Sequence, residues 1–235
     1  MKILRKIVSI LINKFKKDSF LIDKEVPESY LFNIIFTNIF KYLRGSLKFF
    51  KPQYRILVGR NTVLRAKENF KFLGKNIHID RDCYIDALSR NGIQFGNNIS
   101  LQKRVMIECT GSIKHLGKGL ILGNNVGIGS NSFLGCSGGI EIGDDTIFGN
   151  FVSLHSENHN FTDPDTPIRL QGVNHKGIII GKNCWIGAKA TILDGTILGD
   201  GCVVAAGAVL NGKTYEKNSI IGGVPAKIIK SRLSE

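Results

Sequence analysis

The chain has 235 residues and is 43% hydrophobic, which is enough apolar side chain for a sizeable core and excludes a disordered chain. Glycine is unusually frequent, at 27 residues, whereas proline occurs only 5 times and no Gly-X-Y period exists, which excludes collagen. The formal net charge of +13 is unevenly placed, since residues 1–75 hold 17 Lys and Arg against 5 Asp and Glu, and residues 76–235 hold 15 against 14. A basic N-terminal third is compatible with nucleic acid, anionic lipid or pyrophosphate as a partner.

Two helical patterns occupy this basic region. Residues 2–17 place apolar side chains on one helical face and Lys and Arg on the other, and a second apolar helical pattern covers about residues 29–50. The first apolar run, residues 7–12, is too short for a signal peptide, and no run reaches the roughly 18 residues of a spanning helix. Residues 1–51 therefore either cap the end of a following domain or dock peripherally on the inner face of a membrane.

From residue 58 onward an aliphatic residue or Phe recurs every six residues in separate runs, often followed by Gly. The runs are Val58 and Leu64; Leu73, Ile79 and Ile85; Phe95, Leu101 and Ile107; Leu122, Ile128 and Leu134; Ile142, Phe148 and Leu154; and Ile180, Ile186, Ile192, Leu198, Val204 and Leu210. A period of six fits neither a helix nor a long strand, but it predicts a prism of short strands with a turn after each.

The five cysteines contain no C-x-x-C pair, which argues against a disulfide framework or a zinc ribbon. Cys83, Cys184 and Cys202 occupy the small-residue place of the six-residue period and are predicted to fill the core. Reduced thiols predict a cytoplasmic protein.

The repeat, together with the segments at residues 181–187 and 222–227, resembles the hexapeptide-repeat acyltransferases over about residues 56–232. The resemblance implies an all-β fold, a left-handed parallel β-helix of hexapeptide repeats with an N-terminal helical extension. We expect the extension at residues 1–55, the β-helix at 56–222 with a loop at 155–179, and a basic C-terminal tail at 223–235. It also implies a homotrimer with active sites between neighbouring prisms.

The period breaks between Leu154 and Ile180, and the intervening loop holds three of the five histidines. A histidine is suited to take the proton of an attacking hydroxyl group. His159, followed shortly by Asp163-Pro164, matches the family's loop motif and is the implied catalytic base, with His155 as the alternative base or a substrate-binding residue. A metal site formed by His155, His159 and His175 is a weaker alternative, because the prolines predict irregular backbone, and no metal is expected to be required.

The resemblance further implies acetyl-CoA as the donor substrate and assigns residues to it. The amide of Ala188 would stabilise the oxyanion, and Trp185 would either line the pantetheine arm or pack between subunits. The expected cofactor-binding residues are Trp185, Ala188, Ala206, Asn211, Lys227 and Lys230, and Asn131 is expected to contact the acceptor.

The sequence thus predicts an O-acetyltransferase acting on a saccharide hydroxyl in capsule, O-antigen or exopolysaccharide assembly, with no nucleic-acid partner. The motif Asp-Pro-x-x-Pro-Ile at residues 163–168 is similar to that branch of the family. A lipid-linked saccharide acceptor would give the basic N-terminal third a role at the membrane surface. N-acetylation of an amino sugar nucleotide, or a scaffold without catalysis, remain the alternatives.

Overall fold

A computed structural model describes residues 22–233. One helix, α1 (Glu28–Phe49), precedes 25 short strands, most of which form three parallel sheets in this part of the chain. The sheets form the three faces of a prism, here named faces A, B and C in the order in which the chain crosses them.

Each face is a ladder of strands from successive coils. Face A contains β1 (Ile56–Val58), β4 (Ile77–Ile79), β7 (Ile99–Leu101), β10 (Gly127–Ile128), β13 (Ile147–Phe148), β18 (Trp185–Ile186), β21 (Val203–Val204) and β24 (Ser219–Gly223), with β25 (Ala226–Ser231) added antiparallel. Face B contains β2 (Val63–Arg65), β5 (Tyr84–Asp86), β8 (Met106–Glu108), β11 (Phe133–Gly135), β14 (Ser153–His155), β19 (Thr191–Leu193) and β22 (Val209–Asn211). Face C contains β3 (Phe70–Phe72), β6 (Ile93–Phe95), β9 (Leu120–Leu122), β12 (Ile140–Ile142), β17 (Ile178–Ile180), β20 (Ile197–Leu198) and β23 (Thr214–Tyr215).

This architecture is the left-handed parallel β-helix that the resemblance implies, and its prism shape is the one that the six-residue period predicts. The recurring aliphatic residues point inward and stack in columns, for example Leu134 on Ile107 and Leu154 along face B, all fully buried. One position is wrong. Leu73 is 72% exposed, and Phe72 takes the interior place beside Phe95, because the first turn from face C to face A begins one residue earlier than the period requires.

All five cysteines are free thiols and buried, which confirms the predicted core role of Cys83, Cys184 and Cys202. Burial raises the pKa of Cys83 and of Cys184 to about 11. These thiols therefore stay protonated at neutral pH and are poor nucleophiles.

Helix α1 confirms the second helical pattern and closes the N-terminal end of the prism. Gly45 lies so close to the first coil that an added Cβ would meet the Ile56 carbonyl oxygen at 1.9 Å. The Arg44 Nε donates a hydrogen bond of 2.9 Å to the Val58 carbonyl, and Phe49 packs with its ring centroid 5.2 Å from Phe70. The capping role proposed for this region is therefore real for α1. The helix pattern at residues 2–17 lies outside the described residues.

A polar cluster fastens α1 to face A. Lys41 Nζ lies 2.8 Å from Asp80 Oδ1 and 3.0 Å from His78 Nε2. Burial and then the Lys41 charge lower the pKa of His78, so the neutral imidazole can accept a hydrogen bond from the Lys41 ammonium group. Burial alone would raise the pKa of Asp80, but the hydrogen bond from Lys41 and further contacts outweigh it and hold that pKa below 3.8.

The three edges of the prism differ in regularity. Every turn from face A to face B, the A–B edge, contains four residues throughout the described chain. The turns from face B to face C, the B–C edge, instead carry the longer insertions, residues 87–92, 109–119 and 156–177. The loop expected at 155–179 leaves from this B–C edge.

None of the helices formed by residues 22–233 has the length and hydrophobicity that crossing a bilayer requires. At the other end of the chain, the boundary expected between residues 222 and 223 falls inside β24. The basic segment that follows it forms β25, which folds back antiparallel on β24.

Candidate active site

Residues 156–177 leave the prism as an ordered arm. Its base is a two-stranded antiparallel ribbon of β15 (Asn158–His159) and β16 (Val173–Asn174), in which His159 pairs with Val173. The prolines predict irregular backbone here, and the residues around them at the tip are irregular, while the two strands of the ribbon lie on either side of that tip. His159 is exposed, and its imidazole has no hydrogen-bond partner among the described residues.

Two polar side chains hold the arm in place. Asp194, buried at the B–C edge, accepts hydrogen bonds from the Lys176 and Gly177 amides and one of 3.3 Å from Asn158 Nδ2. At the tip, Gln171 Nε2 donates to the Asp163 and Thr166 carbonyls at 2.7 and 2.6 Å. The arm that carries His159 is therefore held at its base by Asp194 and at its tip by Gln171.

His155 lies in β14, at the last position before the arm leaves face B. Its Nε2 is 2.7 Å from Ser153 Oγ, and its ring centroid is 5.3 Å from that of Phe133. Burial lowers the pKa of His155 below 6.5, which favours the neutral imidazole at neutral pH. His155 thus has an orienting partner, whereas His159 is free to meet a substrate.

The A–B edge contains a column of stacked turn residues, Ser130, Asn150, Ala188 and Ala206. Each contacts the next through the backbone: the amides of Phe151, Lys189 and Gly207 donate to the carbonyls of Ser130, Asn150 and Ala188. In the lower part of the column the amide of Ser130 is also bound, because Asn150 Oδ1 accepts from it at 2.9 Å.

Alanine ends this ladder of side-chain acceptors. Ala188 has no oxygen to accept from the Asn150 amide, and Ala206 has none to accept from the Ala188 amide. Within residues 22–233 the Ala188 N–H accordingly has no hydrogen-bond acceptor. Ala188 and Ala206 are both exposed residues, so the backbone at this place lies at the surface of the A–B edge.

The other expected cofactor residues lie around that edge. Trp185 lies on face A, three residues before Ala188 in the same coil, and is 55% exposed. Lys227 and Lys230 are exposed on β25, which extends face A. Asn211, in contrast, ends β22 in the same column as His155, at the B–C edge.

Asn131, expected to contact the acceptor, lies in the A–B turn with a left-handed backbone (φ 59°), a conformation that asparagine tolerates. Its Oδ1 accepts a hydrogen bond of 2.7 Å from Arg104 Nε. The side chain is thereby committed to holding the turn, and a role in acceptor binding stays a prediction.

One prism does not bring all these residues together. Ala188 and Trp185 belong to the A–B edge, whereas His155 and His159 belong to the B–C edge. On this coil the two edges are joined by the three residues of β19, which span about 10 Å of extended chain.

The three histidines of the arm region do not gather as metal ligands. The part of the chain that the structure describes contains no group of three or more His, Cys, Asp or Glu side chains placed to hold a metal ion.

Comparison with known proteins agrees with this geometry. Residues 177–211 match the family described as the hexapeptide repeat of succinyl-transferase. WbbJ of Escherichia coli, named as a lipopolysaccharide biosynthesis O-acetyl transferase, is 37% identical over 39% of this chain and 50% of its own length. A probable acetyltransferase of Mycobacterium tuberculosis is 38% identical over 40% of this chain and 31% of its own. The chain thus spans half the length or less of these relatives.

The solved structure of AntD, an N-acyltransferase from Bacillus cereus in complex with dTDP and coenzyme A, shares the fold. It has a TM-score of 0.53 and 21% identity, over 74% of this chain and 85% of that one. The chain therefore contains the hexapeptide repeat of that family model and shares the fold of this acyltransferase. The two sequence relatives described above, from Escherichia coli and Mycobacterium tuberculosis, are both named as acetyltransferases.

Sequence reasoning missed Asn150, Gln171 and Asp194 as residues that shape the site. Asn150 had a readable signal, because the second place after the face A aliphatic is a basic residue in the first three coils and then Ser, Asn, Ala and Ala in the next four. Asp194 and Gln171 had no such signal, since their hydrogen bonds join residues up to 36 positions apart that only the folded arm brings together.

Proposed function

We propose that the protein transfers the acetyl group of acetyl-CoA to a hydroxyl group of a saccharide, in capsule, O-antigen or exopolysaccharide assembly. The observation that carries the proposal is the amide of the surface residue Ala188, for which the described residues offer no acceptor, in a fold whose matched relatives are named acetyltransferases. A cytoplasmic location accords with five free, buried thiols.

The chemistry needs a base and an oxyanion donor. The acceptor hydroxyl oxygen attacks the thioester carbonyl while His159 takes the hydroxyl proton. The Ala188 N–H then donates to the developing oxyanion. Collapse of the tetrahedral intermediate breaks the carbon–sulfur bond, and the departing thiolate receives the proton from His159.

The donor fits the A–B edge chemically. Trp185 supplies an exposed aromatic wall for the pantetheine arm, and the backbone near Ala206 is open, because an added Cβ at Gly207 would meet nothing within 4 Å. Lys227 and Lys230 supply cations for the phosphates at the nucleotide end. Asn211 belongs to the other edge and would serve the donor from a neighbouring copy.

The separation of the two edges supports a homotrimer. In a ring of three prisms, the arm of one copy can lie against the A–B edge of the next, which completes each site with His159 from one chain and Ala188 from another. The test co-assembles equal amounts of two inactive chains, His159→Ala and Ala206→Asn, the second of which places a side-chain acceptor on the Ala188 amide. Roughly a quarter of the sites should then combine an intact His159 with a free Ala188 amide and regain activity. Absence of any recovery in proven mixed trimers would place the whole site in one chain.

The acceptor is proposed to be lipid-linked, with peripheral membrane contact through residues 1–51, because residues 1–75 carry most of the positive charge. Asn131 and His155 remain the proposed acceptor contacts. N-acetylation of an amino sugar nucleotide is the second candidate, since the same base and amide would serve an amine.

The direct test is turnover with hydroxyl and amine acceptors, followed by the mass increase of one acetyl group on the product. Replacement His159→Ala should lower kcat by about 10²–10⁴-fold without altering acetyl-CoA binding or the circular dichroism spectrum. His175→Ala, an exposed histidine of the same arm, is the matched control and should retain turnover. Wild-type turnover in His159→Ala would remove the proposed base, and failure to bind acetyl-CoA would leave only a scaffold.

A further inference from the structure

Helix α1 is apolar on both sides. One side packs on the first coils through Gly45 and Phe49, and Leu31 on the same side is also buried. The opposite side, here named the outer face, consists of large apolar side chains that are between 43% and 69% exposed: Phe32, Phe36, Ile39, Phe40, Leu43 and Leu47.

The outer face is one continuous surface rather than a scatter of exposed residues. Its members recur at spacings of three and four, which places them on one side of the helix. The rings of Phe32 and Phe36 stack with centroids 6.2 Å apart, and Phe36 contacts Phe40 edge to face at 4.8 Å. A surface helix of a globular protein normally carries polar residues here, so a contiguous apolar stripe indicates an interaction site.

Positive charge surrounds this end of the prism. Lys51, Arg60, Lys67, Lys71 and Lys75 are exposed on the first coil and the segment before it, and are here named the basic rim. Across residues 51–75 the only acidic residue is Glu68. An apolar, phenylalanine-rich helix face beside a cluster of cations is the pattern of a helix that lies in the interface of an anionic membrane.

A second copy of the chain fits this surface less well. Two outer faces pressed together would bring two basic rims close to each other, and like charges across an interface disfavour association. An anionic lipid surface is complementary to both parts, since headgroups meet the rim and acyl chains meet the phenylalanines.

We propose that the outer face of α1 and the basic rim form a docking surface for an anionic lipid bilayer, with α1 lying in the plane of the membrane. The inference deepens the proposed membrane contact and rests on the proposed function only for its lipid-linked acceptor. Lipid binding itself requires no acetyl transfer.

The test is co-sedimentation of the full chain with vesicles of phosphatidylcholine alone and of phosphatidylcholine mixed with phosphatidylglycerol. The double variant Phe36→Gln/Leu47→Gln keeps helix propensity. It removes apolar surface from the outer face without changing any residue of the core. The matched control is Ile113→Gln/Leu116→Gln, two exposed apolar residues on the B–C edge. We expect wild type and control to bind the mixed vesicles, and the outer-face variant to bind roughly tenfold more weakly or worse.

Three results would overturn the proposal: no binding of wild type to the mixed vesicles, equal binding by the outer-face variant, or equal binding to phosphatidylcholine alone. A change in oligomeric state of the outer-face variant without lipid would identify a second copy as the occupant instead. Turnover of a water-soluble saccharide is measured on the same preparations. Outer-face variants should retain it, so loss of docking and failure of the acetyltransferase proposal are told apart.

Discussion

The Ala188 amide can be blocked without touching the residue itself. Ala206 stacks directly above Ala188 in the A–B column, as Asn150 stacks above Ser130. Replacement Ala206→Asn should therefore place an Oδ1 where it accepts from the Ala188 N–H. The expected bond length is that of the existing pair, 2.9 Å between Ser130 N and Asn150 Oδ1.

The magnitude follows from what an oxyanion donor contributes. Loss of one such donor costs about 2.7–4 kcal/mol of transition-state stabilisation, or about 10²–10³-fold in kcat. The same substitution adds a hydrogen bond to the folded state, which is worth about 0.5–1.5 kcal/mol. The variant should therefore be far less active and at least as stable as wild type, a combination that simple damage to the fold does not produce.

The assay is steady-state acetyl transfer at varied acetyl-CoA, alongside urea unfolding. Ala206→Leu is the steric control, because leucine has nearly the shape of asparagine but no acceptor. Since Ala206 is itself a proposed donor contact, both variants should raise KM, but only the asparagine should lower kcat by two orders of magnitude. Equal kcat losses in the two variants, or a normal kcat in Ala206→Asn, would refute the assignment of the Ala188 amide.

Three further predictions concern stability and the arm. Phe95→Ala removes a fully buried ring and should lower the free energy of unfolding by about 3–5 kcal/mol in a denaturant titration. Asp80→Asn leaves Lys41 without its carboxylate and should cost about 1–3 kcal/mol at pH 7. Because the pKa of Asp80 is held below 3.8 in the fold, that difference should be complete above about pH 4 and shrink as pH falls further. Gln171→Ala should lower turnover severalfold by loosening the arm that carries His159, while a normal kcat would show that the tip does not position it.

Much of the fold was predictable because a β-helix repeats one local rule. Each coil places an aliphatic residue inward at the same interval, so Ile186, Ile192 and Leu198 could be assigned to the core without knowledge of their neighbours. The failure at Leu73 has the same origin. Where a turn departs from the usual length, the period carries no information about which of two adjacent apolar residues points inward.

The site was less accessible from sequence, because its parts lie on different edges of the prism. A pattern of six identifies the edge on which Ala188 lies, but it does not show that the Ala188 amide lacks an acceptor, which depends on the residue one coil above. Helix α1 presents a related difficulty. Since the helix carries apolar side chains on both of its sides, periodicity alone could not show that Leu31 and Phe49 are buried while Phe36 and Leu47 face outward.

The confinement of long insertions to the B–C edge has a consequence for how such a protein can change. A segment inserted at the A–B edge, where every turn contains four residues, would displace the coils that follow it. A segment inserted at the B–C edge, which already carries long insertions, leaves the strands of successive coils in register. Under the proposed function, acceptor preference can therefore be changed by exchanging loops along the B–C edge alone, while the A–B edge keeps the spacing on which the proposed donor site relies.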